Sequence, residues 1–187
     1  MASRLLYERV MKPAAWAALA MLASACQPIV LEPDAGPAVN HPPRIVEGFE
    51  TPAQTVFDGV TDADCRAIDF SVGSVEDDDI DQAVQERWVL NYDPADPNPD
   101  LGVTLTLQQN ESQPAYRTDP PNAFVITAQA LTTSQFASGS INRVDVFISD
   151  GFDNGGAPGK VVRPTDVLPD HYLVRHTWVI TMSGSCP

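Results

Sequence analysis

Positive charge is scarce in this sequence. Lysine and arginine together number 11, against 25 aspartate and glutamate residues, and the formal net charge is −14 at pH 7. An acidic surface of this size repels nucleic acid and anionic lipid head groups, whereas it attracts cations and basic partners. The composition therefore excludes nucleic acid as a partner. Because the acids are interleaved with β-branched and aromatic residues, we expect the body of the chain to be folded.

Histidine is also scarce, and no catalytic motif is recognisable. The three histidines are His41, His171 and His176. His171 and His176 are five residues apart, which places them on opposite faces of a strand, so that they cannot share a metal ion. The G-x-S-x-G sequence of many serine hydrolases is missing. We therefore expect a protein that is not an enzyme.

An apolar stretch near the start of the chain is too short to cross a membrane. Residues 13–25 carry no charge and follow a basic stretch that contains Arg4, Arg9 and Lys12. A helix that spans the hydrocarbon core of a bilayer needs about 20 apolar residues. A basic start, a short apolar run and small residues at its end are typical of a secretory signal. Residues 1–25 are therefore predicted to be a signal peptide.

The end of this stretch carries a cysteine motif. Leu22-Ala23-Ser24-Ala25-Cys26 resembles the lipobox of bacterial lipoproteins, although Ala23 stands where that family usually has leucine. The resemblance implies that the signal is cut before Cys26 and that Cys26 is lipidated, with several acyl chains that give stable membrane attachment. Gln27 instead of aspartate implies the outer membrane. The alternative is an ordinary secretory signal with Cys26 as a plain residue.

Cysteine is rare, and its number is informative. Of the three cysteines, lipidation would use one, which leaves Cys65 and Cys186. An even pair in an oxidising compartment favours a disulfide bond, and two free thiols are the alternative. Residues 26–43 contain five prolines and little apolar content. This segment is predicted to be the lipid anchor and a proline-rich linker that acts as a semi-rigid stalk.

From residue 44 onward the hydrophobic pattern has a period of two, which is typical of β-strands. Clusters of Pro, Gly, Asp and Asn separate the runs. Only residues 79–86 could hold a helical turn. We predict an all-β fold, a single antiparallel β-sandwich of about seven strands over residues 44–187. The predicted strands fall within residues 54–57, 68–72, 88–92, 103–107, 123–130, 144–148 and 172–182.

Three segments in order resemble bacterial extracellular immunoglobulin-like domains. The segment NHPP at residues 40–43 is similar to the start of such repeats. The acidic segment at 76–79 with the Trp88 strand is similar to the B–C loop and strand C of cadherin-like and polycystic-kidney-disease-type (PKD) domains. VDVFISDG at 144–151 is similar to the end of their strand F. With that strand assignment, Cys65 opens strand B and Cys186 follows strand G, so both cysteines are expected at one end of an immunoglobulin-like sandwich.

Acidic residues are concentrated in the loops between the predicted strands. Calcium prefers six to eight oxygen ligands, so carboxylates from two loops would have to converge. We single out Asp77 and Asp79 before strand C, and Asp150 and Asp153 after strand F, as candidate calcium ligands. No segment has the spacing of an EF-hand loop. The alternative is that these acids are solvated charges without a cofactor.

These observations favour a non-enzymatic, lipid-anchored protein of the cell envelope. It would present an immunoglobulin-like module for adhesion, assembly or envelope structure, with an unidentified protein or glycan as partner. The alternative is a calcium- or carbohydrate-binding module that acts through loops at one end of the sandwich. Trp88 and Trp178 are expected in the core, although exposed aromatic rings could stack on sugars.

Overall fold

The computed structural model describes residues 39–96, 100–155 and 161–187. The predicted signal peptide, Cys26 and the linker up to residue 38 lie outside the described residues. Asn40–Pro187 forms a compact unit, which therefore includes residues 40–43 of the predicted linker. Among the described residues, no helix has the length and hydrophobicity needed to cross a bilayer.

The described residues form eleven strands and two short helical segments. The strands are Arg44–Ile45 (β1), Val56–Asp58 (β2), Ile68–Phe70 (β3), Val75–Glu76 (β4), Gln85–Leu90 (β5), Val103–Thr106 (β6), Gln108–Asn110 (β7), Gln113–Thr118 (β8), Phe124–Ile126 (β9), Ile141–Ser149 (β10) and Leu173–Thr181 (β11). A helix at Ala128–Leu131 (α1) and a 3-10 turn at Ser134–Phe136 lie between β9 and β10.

These strands form three sheets. A five-stranded sheet has the order β2-β11-β10-β5-β6, a four-stranded sheet the order β1-β4-β8-β7, and β3 pairs with β9. All pairings are antiparallel except that of β2 with β11, which is parallel. The longest ladder joins β10 and β11 over nine residues, from Ile141 opposite Thr181 to Ser149 opposite Leu173.

Aromatic side chains join the layers in the core. Trp88 on β5 and Trp178 on β11 stack with their ring centroids 5.7 Å apart. Phe124 on β9 stacks on Trp88 at 5.6 Å, and Phe70 on β3 meets Trp178 edge-on at 5.4 Å. Because Trp88 and Trp178 are fully buried, their large apolar areas contribute strongly to the stability of the sandwich.

The predicted all-β sandwich is confirmed, with two corrections in detail. The described residues contain eleven strands instead of about seven, because several short pairings such as β1 with β4 carry no extended hydrophobic pattern. A helical turn at residues 79–86 was wrong: Gln85–Leu90 is a strand, and the helix lies at Ala128–Leu131. Thr127 begins that helix by accepting a hydrogen bond from the Ala130 N–H, which ends the preceding strand.

The predicted disulfide is confirmed. Cys65 precedes β3, Cys186 follows β11, and the two are bonded with Cα atoms 5.5 Å apart. This bond ties the C-terminal end of the chain to the loop before β3. The loop that it closes is long, with a sequence separation of 121.

Removing this bond should strongly destabilise the domain. For Cys65→Ser/Cys186→Ser we expect the free energy of unfolding to fall by about 4–5 kcal/mol, because closing a loop of this length restricts the unfolded chain. Chemical denaturation measures this difference. Reduced wild-type protein serves as the control and should unfold at the same denaturant concentration as the variant. Equal stability of oxidised wild type and variant would contradict the expectation.

Candidate functional site

The outer face of the five-stranded sheet carries an organised group of charged side chains. On β10, Val144, Val146 and Ile148 point into the core, whereas the alternate residues point outward. Two of these outward residues are Arg143 and Asp145. The antiparallel ladder places Thr177 of β11 directly opposite Asp145.

Asp145 is completely buried on this face and receives four hydrogen bonds. Its Oδ1 accepts from Arg175 Nε at 3.0 Å, Arg175 Nη2 at 2.7 Å and Thr177 Oγ1 at 2.7 Å. Its Oδ2 accepts from Arg143 Nε at 2.8 Å. Arg143 also donates to the backbone carbonyl of Tyr92. Because charge-assisted bonds of this kind are strong and directional, both guanidinium groups are held in defined positions.

Aliphatic side chains lie beside Arg143 at one end of this group. Val179 lies opposite Arg143 in the ladder, and Val56 of β2 lies opposite Val179. Ile141, two residues before Arg143, has 71% of its surface exposed, and Val56 has 60%. Ile141, Arg143 and Val179 line a shallow cavity of about 420 Å³ with Asn91 and Tyr92. We call Arg143, Arg175, Ile141, Val179 and Val56 the arginine surface.

The remainder of this outer face is covered by the connection between β10 and β11. Phe152 packs with Phe147, Tyr92 and Val89 in a second hydrophobic cluster. The buried guanidinium group of Arg87 lies 4.0 Å from the centre of the Phe152 ring and donates to Asn154 Oδ1 at 2.7 Å. Phe152 and its neighbours in the connection therefore shield this part of the outer face from solvent, whereas Ile141 and Val56 of the arginine surface remain exposed.

Three of the predicted calcium ligands lie at the end of the sandwich where the domain begins. Asp79 Oδ2 accepts from the His41 N–H at 2.6 Å, and this bond holds the pKa of Asp79 below its usual value. Asp150 Oδ2 accepts from Asn40 Nδ2 at 2.6 Å. Asp77 is buried and close enough to Asp150 for repulsion, and burial is the main cause that raises its pKa. Asp79 and Asp150 therefore fasten the first residues of the compact unit, whereas Asp77 Oδ1 accepts from the Asp79 N–H at 2.9 Å.

The fourth predicted ligand, Asp153, points elsewhere. Its N–H donates to the Asp166 carbonyl at 2.9 Å, and its Oδ1 accepts from the Gly155 N–H at 2.8 Å. In the part of the chain that the structure describes, no group of three or more His, Cys, Asp or Glu residues could hold a metal ion. Calcium binding by Asp77, Asp79, Asp150 and Asp153 stays a prediction from the sequence.

Two further places in the fold could have offered a ligand site. Trp88 and Trp178 are both fully buried, so neither ring is available to stack on a sugar. An open cavity of about 830 Å³ lies between β2 and β3. Of its carboxylates, Asp62 accepts from the Asp58 N–H at 2.7 Å and Asp64 pairs with Arg66 at 3.2 Å. Both carboxylates therefore already bond to residues within or next to the same loop.

A buried carboxyl group lies on the core side of β5. Glu86 is fully buried, and among the described residues neither of its carboxylate oxygens has a hydrogen-bond partner. Burial, and next the nearby Asp119 carboxylate, raise the pKa of Glu86 to about 8, whereas its ordinary value is 4.5. Burial also raises the pKa of Asp119. Glu86 is therefore protonated in the folded protein at neutral pH.

This group should make stability depend on pH. The folded protein retains a proton on Glu86 that the unfolded chain releases above about pH 4.5. The contribution of this proton to the free energy of unfolding is therefore complete below that pH and is lost as the pH rises through about 8. In between, the free energy of unfolding should fall by at most about 1.4 kcal/mol per pH unit. Denaturant titrations across this range measure the slope.

Glu86→Gln should remove the part of this slope that comes from Glu86, because glutamine keeps the shape of the neutral side chain without titrating. Asp119, whose pKa burial also raises, keeps its own part. Asp69→Asn, which changes an exposed carboxylate on β3, is the matched control and should keep the slope of the wild type. The assignment would be wrong if Glu86→Gln lost stability with pH as steeply as the wild type.

No protein-family model matches the chain, and no curated protein or solved structure matches it. Arg143, Asp145 and Arg175 are not among the site residues predicted from the sequence. A signal was present, because Asp145 lies between two valines in the strand predicted at residues 144–148 and Arg143 directly precedes that strand in the same alternation, which puts both charges on one face.

Proposed function

We propose that this chain is a non-enzymatic, lipid-anchored protein of the bacterial outer membrane that presents an immunoglobulin-like module for adhesion, assembly or envelope structure. The lipobox resemblance at Cys26 supports the anchor. The partner of the module would be a protein or a glycan of the cell envelope or cell surface.

The strand arrangement supports the immunoglobulin-like assignment. The sequence resemblance identified the strands at β3, β5, β10 and β11 as B, C, F and G. Strands C, F and G are neighbours in one sheet of immunoglobulin-like domains, and strand B belongs to the other sheet. Here β5, β10 and β11 are adjacent in the five-stranded sheet, whereas β3 lies in a separate sheet with β9.

The observation that carries the binding role is the arginine surface. Exposed aliphatic side chains lie beside Arg143, and the positions of Arg143 and Arg175 are fixed by the buried carboxylate of Asp145. Arginine is enriched among the residues that dominate the energy of protein interfaces, and the aliphatic side chains offer apolar area that a partner can bury. Because the guanidinium groups of Arg143 and Arg175 are positioned before a partner binds, less side-chain conformational entropy is lost on binding.

The anchored state is tested by metabolic labelling with a fatty acid. Wild-type protein should incorporate the label, whereas Cys26→Ser should not, because it lacks the thiol that becomes acylated. Cys65→Ser/Cys186→Ser is the matched control and should still be labelled, since that pair forms the disulfide. Equal label in the wild type and Cys26→Ser would contradict the proposal.

A further inference from the structure

The arginine surface carries positive charge on a strongly acidic protein. Two guanidinium groups share the single carboxylate of Asp145, so this group has an excess of one positive charge, whereas the whole chain carries −14. Other arginines are engaged differently: Arg44 pairs with Glu76 and Arg66 with Asp64, and Arg87 is buried. The arginine surface therefore differs in sign from its surroundings.

Both arginines keep donors for a ligand. A guanidinium group has five N–H donors. Arg143 uses its Nε towards Asp145 and one terminal nitrogen towards Tyr92, and Arg175 uses its Nε and one terminal nitrogen towards Asp145. Their side chains are 39% and 43% exposed, and in the described part of the chain no acceptor lies against their Nη1 groups. A carboxylate from outside could be received there.

The neighbouring side chains indicate the class of ligand. Ile141, Val179 and Val56 are aliphatic, and they lie beside Arg143 along β10, β11 and β2. Sugar recognition usually requires an exposed aromatic ring, and the five residues of the arginine surface include none. The overall negative charge repels a nucleic acid, which has a charge on every nucleotide, more strongly than a protein segment with a few carboxylates. An interface that combines arginine donors with aliphatic contacts fits a protein segment that has both carboxylates and apolar side chains.

We propose that the arginine surface binds an acidic segment of a partner protein. Carboxylates of the segment accept hydrogen bonds from Arg143 and Arg175, and its apolar side chains pack on Ile141, Val179 and Val56. This inference rests on the proposed function as a binding module, and it adds the chemistry of the partner. An acidic domain can receive an acidic segment at this place, because Asp145 holds the two guanidinium cations of Arg143 and Arg175 together on the outer face.

The test uses the full mature chain in detergent and a fluorescent peptide that alternates leucine and glutamate. The same peptide with glutamine in place of glutamate is the neutral probe. We expect the glutamate peptide to bind the wild type roughly tenfold or more tightly than the glutamine peptide, because charge-assisted hydrogen bonds replace neutral ones. Fluorescence anisotropy measures both dissociation constants.

Variants of the protein locate the binding. Arg143→Gln/Arg175→Gln should abolish the preference for glutamate, whereas Arg44→Gln/Arg66→Gln removes the same charge from carboxylate-paired arginines elsewhere and should keep it. Because the first variant leaves Asp145 buried without its partners, Ile141→Glu is a second test that keeps the Asp145 bonds intact. It places a like charge on an exposed side chain, so the melting temperature should stay unchanged while binding of the glutamate peptide is lost.

The outcomes separate this inference from the proposed function. If both peptides bind equally and Ile141→Glu abolishes both, the binding module stands and the acidic partner is wrong. Binding of neither peptide, or binding of the glutamate peptide that survives Ile141→Glu and Arg143→Gln/Arg175→Gln, also overturns the inference. The fatty-acid label on Cys26 reports on the anchor independently of all three results.

Discussion

The nine-residue ladder between β10 and β11 is the constraint on which both faces of the domain depend. On its inner side the register brings Trp178 opposite Val144, in the core that joins the sheets. The same register sets Thr177 opposite Asp145 on the outer side. A shift of β11 by one residue would turn Trp178 towards solvent and would turn Arg175 and Thr177, the β11 partners of Asp145, towards the core. Packing of the interior therefore also determines the geometry of the arginine surface.

Two of the buried carboxyl groups, those of Glu86 and Asp145, are accommodated in different ways. Burying an unpaired charge is costly, so such a group must be either neutralised or compensated. Glu86 on the core side has no hydrogen-bond partner among the described residues, and its raised pKa keeps it neutral. Asp145 on the outer side is compensated by Arg143, Arg175 and Thr177. The second arrangement also fixes two side chains, Arg143 and Arg175, that reach the surface.

Sequence patterns predicted the parts of the fold that depend on local order. The alternation around Val144 and the long run at residues 172–182 predicted β10 and β11, and the even pair Cys65 and Cys186 predicted the disulfide. The alternation around Asp145 indicated a charged outer face, but its pairing with Arg175 was not predictable, because Asp145 and Arg175 are 30 residues apart and meet only through the register of two strands. Asp79, one of the predicted calcium ligands, accepts a hydrogen bond from the His41 N–H near the start of the domain. The two residues are 38 positions apart in the sequence, so this contact was not predicted either.

The central claim is that Asp145 holds Arg143 and Arg175 rigid before any partner binds. Nitrogen-15 relaxation of the arginine Nε–H groups tests it most directly, with the exposed Arg66 as an internal reference. The account predicts order parameters for Arg143 and Arg175 close to those of rigid backbone, about 0.85, and a much lower value for Arg66. Values for Arg143 and Arg175 as low as that of Arg66 would contradict it.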